Sequence, residues 1–377
     1  MTFRYASPLA SLLLLAACDA GVPDGVEVTP LDATVEVVAD GFTIPWGVEV
    51  LGENEFLVTE RMGALFHIRD GERVALAGLP QTLTVEVEGL TYGGYMDVSL
   101  HPQFAANGLV YLAYVTAAGR MAVGRFVFEA RAASEWQVIF RSNAFSIGSR
   151  IAWSDDDHWF VTQGLGGNPF PEPGAQALRN DGGKIHRLRA DGSVPSDNPV
   201  FEGATGPSSV WSLGHRDPQG LSFDVDDGRL YANEHGPLGG DELNVIERGG
   251  NYGWPLFSYG LNYDESPVSD MTEEDARQST VLPIAHWGRD LNLAPSGLVR
   301  LVGSAFPDWN GTFLMGSLAR QRLVAYDPAT ERTAIVMEDV GRVRDVAQLP
   351  SGALLLLVDA GSPGPSDSGR VLRVSPR

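Results

Sequence analysis

Thiols and positive charge are scarce in this 377-residue sequence. Cysteine occurs once, at Cys18, so no internal disulfide can form. Lys and Arg total 27 against 48 Asp and Glu, a net charge of −21. A protein that neutralises phosphates needs clustered cations in excess, so nucleic acid is excluded as a partner and docking on anionic lipid is disfavoured. An anionic ligand would need a local pocket of arginines working against the global field. Beyond the N-terminus no apolar run approaches the length of a membrane-spanning helix. The amphipathic helices that a parallel α/β fold places between its strands are also missing. What the chain has in quantity is turn chemistry, with 44 glycines and 24 prolines in a sequence that is 44% apolar. That composition buries a large core and interrupts it often.

The N-terminus reads as an export signal over residues 1–17. Arg4 supplies the positive region, Leu9 to Leu15 the apolar region, and Ala16-Ala17 the small residues of a cleavage site. Cys18 follows Leu15-Ala16-Ala17, which resembles the bacterial lipobox, and implies a lipid on that cysteine. The alternative is an ordinary secretory signal cleaved nearby. Residues 18–33, with Pro23, Gly25 and Pro30 and few large apolar side chains, read as a tether. The folded unit is expected over 34–377. These features predict a lipoprotein of the bacterial cell envelope, periplasmic, touching a membrane only through its N-terminal lipid.

From Val35 onward paired strands recur, the second usually introduced by Gly or an acidic turn. The pairs are Trp46 to Leu51 with Glu55 to Thr59, Gly94 to Leu100 with Leu109 to Val115, and Arg150 to Trp153 with His158 to Thr162. They continue with Gly220 to Phe223 and Arg229 to Ala232, Gly297 to Leu301 and Thr312 to Met315, and Arg344 to Leu349 and Ala353 to Val358. Such units cannot bury their own faces alone, and together they predict an all-β, six-bladed β-propeller. The segments Gly164 to Leu178 and Asn262 to Thr280 read as long polar loops at its mouth.

The most distinctive stretch runs from Glu234 to Asn244, followed by Gly250-Asn251-Tyr252-Gly253-Trp254-Pro255. Its Gly-Pro turn presents carbonyls, and Asp241 and Glu242 add carboxylates, the oxygen donors that calcium prefers. A polar blade turn with solvated acids accounts for the same residues equally well. Asp224-Val225-Asp226-Asp227-Gly228 lacks the later glutamate of an EF-hand and reads as a hairpin turn. His67, His101, His158 and His286 show no metal-ligand spacing.

These stretches, with Gly214-His215-Arg216-Asp217-Pro218-Gln219-Gly220, closely resemble the soluble aldose and glucose/sorbosone dehydrogenases that use pyrroloquinoline quinone (PQQ). Met96-Asp97-Val98 to His101-Pro102, Gly183-Lys184-Ile185, Asp191 to Pro195, Ala294 to Gly297 and Arg342 to Val346 extend the resemblance over nearly all of the expected mature chain. It implies a six-bladed propeller, in agreement with the repeat count. It further implies that the carbonyls of Gly236 and Pro237 hold the cofactor's calcium, and that Glu242 and Tyr252 belong to a second calcium site. Arg216, Arg342 and Arg344 match the arginines that grip the cofactor's carboxylates, a task suited to a bidentate guanidinium.

Other positions depart from the family. Its general base is a histidine shortly before a Gly-Arg-Leu strand, and the matching stretch here is Ser146-Ile147-Gly148-Ser149-Arg150-Ile151, with serine in its place. Serine does not take a proton at neutral pH unaided. The assisting acid appears as Leu165, a cofactor-contacting Gln as Tyr92, an Asn as Asp217, and a lysine as Ala319, which Arg320 immediately follows. The resemblance implies a PQQ-dependent oxidoreductase acting on the CH–OH group of aldoses or related small sugars or alcohols, with reduced or altered activity. It passes electrons to an acceptor the sequence does not identify. The replacement base would be Asp217, Tyr92 or a water held by Ser146. The alternative is a non-catalytic, calcium-stabilised propeller that binds a sugar, an envelope component or a protein.

Overall fold

The computed structural model describes residues 26–87, 90–129, 131–165, 174–360 and 367–377. Cys18 and the signal lie outside them. Six sheets, antiparallel but for one parallel edge strand, account for most of the described residues, together with one separate hairpin, Thr84–Val87 with Leu90–Gly93. Blade 1 consists of Pro45–Gly52, Glu55–Glu60, Ala64–Arg69 and Glu72–Ala75. Blade 2 runs from Tyr95 to Arg141, blade 3 from Ile151 to Leu213, and blade 4 from Pro218 to Trp287. Blade 5 takes strands between Pro295 and Met337, and blade 6 strands between Arg342 and Pro376. This is the six-bladed propeller, and each strand pair read from the sequence is the inner pair of one blade.

The ring closes with strands from both ends of the chain. Ala33–Phe42 pairs antiparallel with Gly369–Pro376 and forms the outer strand of blade 6. Closure removes the open sheet edge that the first or last blade would otherwise present. Val26–Val28, inside the segment expected to be a tether, pairs in parallel with Arg332–Met337 at the edge of blade 5, and Leu31 is buried behind it. The fold therefore begins earlier than residue 34. The expected loop Asn262 to Thr280 contains a helix, Glu273–Ser279, whose Thr272 and Asp275 form a reciprocal capping box.

The core lies between blades, where inward apolar side chains of neighbouring sheets interdigitate. Leu314, Leu323 and Val336 of blade 5 pack with Val346, Leu354 and Leu356 of blade 6. Around the axis the packing is polar. Arg150, at the start of blade 3's inner strand, donates to Asp97 of blade 2 at 3.2 Å and Asp345 of blade 6 at 2.8 Å. It also donates to the carbonyls of Gln219 at 2.8 Å and Arg344 at 2.6 Å. One buried guanidinium thus ties blades 2, 4 and 6 to blade 3. Backbones close in tightly here. A Cβ on Gly297 would stand 2.0 Å from Oδ1 of Asp345, so that position admits only glycine.

Candidate active site

The inner strands bring cations together at one end of the axis. Arg344 donates to Asp359 at 2.7 Å, and Arg342 lies 3.6 Å from the same carboxyl group. Arg216 donates to the carbonyl of His235 at 3.1 Å and to the Tyr263 hydroxyl at 3.3 Å, with its guanidinium 5.4 Å from the Trp254 ring. Arg61, at the end of a blade 1 strand, joins them. It stacks 3.8 Å over Trp46 and donates to the carbonyls of Thr91, Gly93 and Ile147. Burial, reinforced by Arg344, pushes Arg61 down to about 9, and burial with Arg344 pushes Arg342 down to about 10. The Nε of Arg342 is buried without a hydrogen-bond partner. A chain with a surplus of acids has therefore concentrated buried and half-buried guanidinium groups at one point, with donor capacity left over on Arg342. That donor set fits a small polycarboxylate anion such as PQQ.

Asp217 lies among these cations. Gln219 Nε2 donates to its Oδ1 at 2.8 Å, and His235 Nδ1 stands 3.6 Å from its Oδ2. Burial raises its pKa against the opposing pull of His235 and Arg216. A Cβ at Gly164 would fall 2.3 Å from Oδ1, so the glycine after the blade 3 strand makes room for the carboxylate. Tyr92, on the separate hairpin, is close enough to Arg61 to interact electrostatically. Ser146 is fully buried and donates its hydroxyl to the carbonyl of Gly148, within its own loop. Leu165 places its side chain against Gly174 and Gly182. Arg320 is partly exposed, and its backbone N–H donates to Ser317.

Beside this cluster a cavity of about 10 Å³, room for a single water or ion, is lined by Glu234, Gly236, Gly240, Glu242 and Tyr252 among others. Glu242 is held well above the usual carboxylate range by burial and by the neighbouring charge of Glu234. Asn244 Nδ2 bridges the two carboxylates, donating to each at 3.2 Å, and two acids sharing a buried site also suit a cation beside them. Among the described residues no group of three His, Cys, Asp or Glu side chains could hold a metal alone, so a cation here must draw on carbonyl oxygens as well. The carbonyls of Gly239 and Gly240 crowd round Gly236, within 2.4 Å of where its Cβ would be. The donor set fits calcium.

Two of the expected ligand side chains are engaged elsewhere. Asp241 accepts the backbone N–H of Gly236 at 3.0 Å and of Ala294 at 2.9 Å, so it clamps the Gly-Pro turn to the next blade. The Tyr252 hydroxyl accepts the N–H of Glu247 at 2.7 Å and donates to Val245, which leaves its backbone carbonyl as the available donor. Ser212, His215 and Glu234 line up at 2.9 and 3.0 Å like a nucleophile, base and orienting acid, but Ser212 and His215 are sealed from solvent and act structurally.

Sequence reasoning missed Arg61, Glu234 and His235 as site residues. Nothing in local periodicity separates Arg61 from a surface cation. Glu234 and His235 stood inside the distinctive stretch, where only their neighbours were selected.

Residues 42–372 match the family model for glucose / sorbosone dehydrogenase. The aldose sugar dehydrogenase YliI of Escherichia coli K12 is 31% identical over 92% of this chain and 94% of its own length. The soluble aldose sugar dehydrogenase of Escherichia coli in its apo form superposes with a TM-score of 0.79 at 29% identity, covering 92% of this chain and all of that one. The PQQ-bound aldose sugar dehydrogenase of Streptomyces coelicolor gives 0.72 at 27% identity, over 92% and 99% of the two chains. The chain belongs to the glucose/sorbosone dehydrogenase family of PQQ-dependent sugar oxidoreductases.

Proposed function

We propose that this protein oxidises the anomeric hydroxyl of an aldose or related small sugar and passes two electrons to bound PQQ. The observation that carries the reading is the cluster of Arg61, Arg216, Arg342 and Arg344 at the hub of a strongly acidic chain. Converging guanidinium groups, buried or half-buried, suit a ligand with several carboxylates. When bound, PQQ would supply the electrophilic carbonyl carbon that receives a hydride. Arg216, Arg342 and Arg344 orient that ligand, with Tyr92 and Arg320 as further contacts to it. The carbonyls of Gly236 and Pro237 hold its calcium, Asp241 fixes their turn, and Glu242 with the Tyr252 carbonyl holds a second calcium. The Cys18 lipid tethers the propeller in the periplasm.

The test is reconstitution of purified protein with calcium and PQQ, followed by absorbance and by dye reduction with a panel of aldoses. The expected result is saturable cofactor uptake and turnover, with uptake weakened at least tenfold by Arg344→Met, about 1.4 kcal/mol. Uptake without turnover on any sugar would favour a binding propeller, which Ser146 supports by spending its hydroxyl inside its own loop. Absence of uptake would overturn the reading.

A further inference from the structure

We infer that Lys184 is a positioning residue for the cofactor grip: its buried ammonium holds the loop 174–182, and that loop fixes the backbone from which Arg216 reaches the site. This rests on the dehydrogenase reading and deepens it.

Of the 27 Lys and Arg residues in the chain, Lys184 is the only lysine. It opens the blade 3 strand Lys184–Arg189 and is fully buried. Its Nζ donates to the carbonyls of Gly174 at 3.0 Å, Ala175 at 2.9 Å and Gly182 at 3.0 Å, so all three ammonium hydrogens meet neutral acceptors. Three carbonyl dipoles that converge on one buried point repel one another unless a cation sits between them. A guanidinium is planar and spreads its donors over a fork, whereas an ammonium is a compact point charge with three donors. The chain uses arginine everywhere else and keeps lysine where the acceptors converge on a point.

The loop so held grips the Arg216 stretch from two sides. The Ala175 carbonyl also accepts the N–H of Gly214 at 3.0 Å, and the Gly183 carbonyl accepts that of His215 at 3.2 Å. Gln176 Nε2 donates to the Trp254 carbonyl at 2.8 Å and to Asn251 Oδ1 at 2.9 Å, while its Oε1 accepts from Asn251 Nδ2 at 2.8 Å. The Trp254 N–H in turn donates to the Gly214 carbonyl at 2.8 Å. Lys184 thereby fixes the loop, and the loop fixes Gly214 and Trp254. Arg216 follows Gly214 by two residues, and its guanidinium lies 5.4 Å from the Trp254 ring. The packing leaves little slack, since a Cβ on Gly183 would stand 2.5 Å from the His215 carbonyl oxygen and one on Gly214 2.2 Å from Asn251 Oδ1.

The ammonium keeps its charge at neutral pH. Burial pushes Lys184 down to about 8, against the pull of Asp181 in the same loop. His186, two residues along the strand, is pushed down to about 4 by burial, with Lys184 adding to the fall, and so brings no competing charge.

The test combines cofactor uptake with two readouts that need no cofactor. In calcium-loaded protein, Lys184→Met, which keeps the stem and removes the charge, should weaken PQQ uptake about tenfold or more, and Gln176→Ala should do the same. Because both act through one loop, the double variant should lose no more than about threefold beyond the worse single variant. Hydrogen exchange in Lys184→Met should show protection lost at the Gly214 and Trp254 amides but kept at Val48 and Ile151, whose N–H groups bond to hub carboxylates. In wild-type protein carrying [13C]lysine, the single lysine signal should titrate with a midpoint near 8, well below the ~10.4 of an ordinary lysine. A folded Lys184→Met protein that binds PQQ within about threefold of wild type overturns the assignment, as do losses that multiply in the double variant or a lysine signal with an ordinary midpoint. If Lys184→Met does not fold, Gln176→Ala, which leaves the lysine in place, carries the uptake test alone, and unchanged uptake there overturns the assignment. Wild-type protein that takes up no PQQ counts against the dehydrogenase reading rather than the loop. Exchange at Gly214 and Trp254 then decides, and unchanged protection in Lys184→Met overturns the inference.

Discussion

Replacing Arg150 tests how the hub is held together. Its guanidinium is buried and bridges Asp97 and Asp345 while donating to two carbonyls. Arg150→Met removes the only guanidinium ion-paired to either acid among the described residues. Burial already pushes Asp97 up to about 6, with Arg150 opposing the rise, and burial likewise raises Asp345. Leaving such carboxylates unpaired costs about 3 to 5 kcal/mol at pH 8. The sign of the pH dependence follows. A carboxyl whose folded pKa is raised contributes stability below its unfolded value and loses it as pH rises through the folded value. The variant should therefore lie closest to wild type near pH 4 and diverge steadily up to and beyond pH 6. Urea unfolding at pH 4, 6 and 8 measures this through the midpoint and slope. Adding Asp97→Asn and Asp345→Asn should recover most of the loss at pH 8, since a neutral set leaves no isolated charge. A loss below about 1 kcal/mol at pH 8, or one independent of pH, would refute the view that Arg150 neutralises the hub.

Three further outcomes are expected. Chelation should lower the melting temperature of wild type, and Glu242→Gln should remove most of that sensitivity, because a ligand bound only by the native state stabilises by about 2.7 kcal/mol at a hundredfold excess over its Kd. Differential scanning fluorimetry with and without chelator measures both. Glu49, on blade 1's inner strand, is pushed up to about 8 by burial, then by Asp97 and Asp345, so its contribution is lost as pH rises through 8. Glu49→Gln should flatten the stability profile between pH 4.5 and 8 and be the more stable form at pH 9, which denaturant titration reads directly. Mass spectrometry of the native protein should find an acylated N-terminus at Cys18, and an unmodified terminus elsewhere would end the lipoprotein expectation.

The blade count was legible because each inner strand pair repeats one pattern, such as Trp46 to Leu51 turning into Glu55 to Thr59. Inner strands are buried on both faces and flanked by obligatory turns, so their signal is strong. Outer strands are weaker. Ala33–Phe42 is mostly exposed, with Val35 and Val37 about half open to solvent, and its partner, Gly369–Pro376, lies at the other end of the chain. Pairing across that separation leaves no local trace. The helix Glu273–Ser279 was overlooked, although Thr272 followed three residues later by Asp275, with Glu273 and Glu274 between them, is a readable start signal. At the site, arginines inside motifs could be read, whereas Arg61 acquires its role only when blade 1 carries it beside Arg344. The engagement of Asp241 and of the Tyr252 hydroxyl was beyond sequence reading for the same reason. Residue type sets what a side chain can donate or accept, and the fold decides which partner reaches it first.

The hub and the site share atoms, and this constrains how the chemistry can change. The carbonyl of Arg344 receives Arg150 while its side chain binds Asp359, and the carbonyl of Gln219 receives Arg150 while its amide holds Asp217. The groups that would grip the cofactor are thus fixed by the same network that joins the blades. Positions outside that network carry no such burden. Ser146 closes on its own loop, Leu165 rests against glycines, and Ala319 is an exposed turn residue. None of these three side chains bonds to Arg150, Asp97 or Asp345, so a departure from the family there spares the ion pairs of the hub.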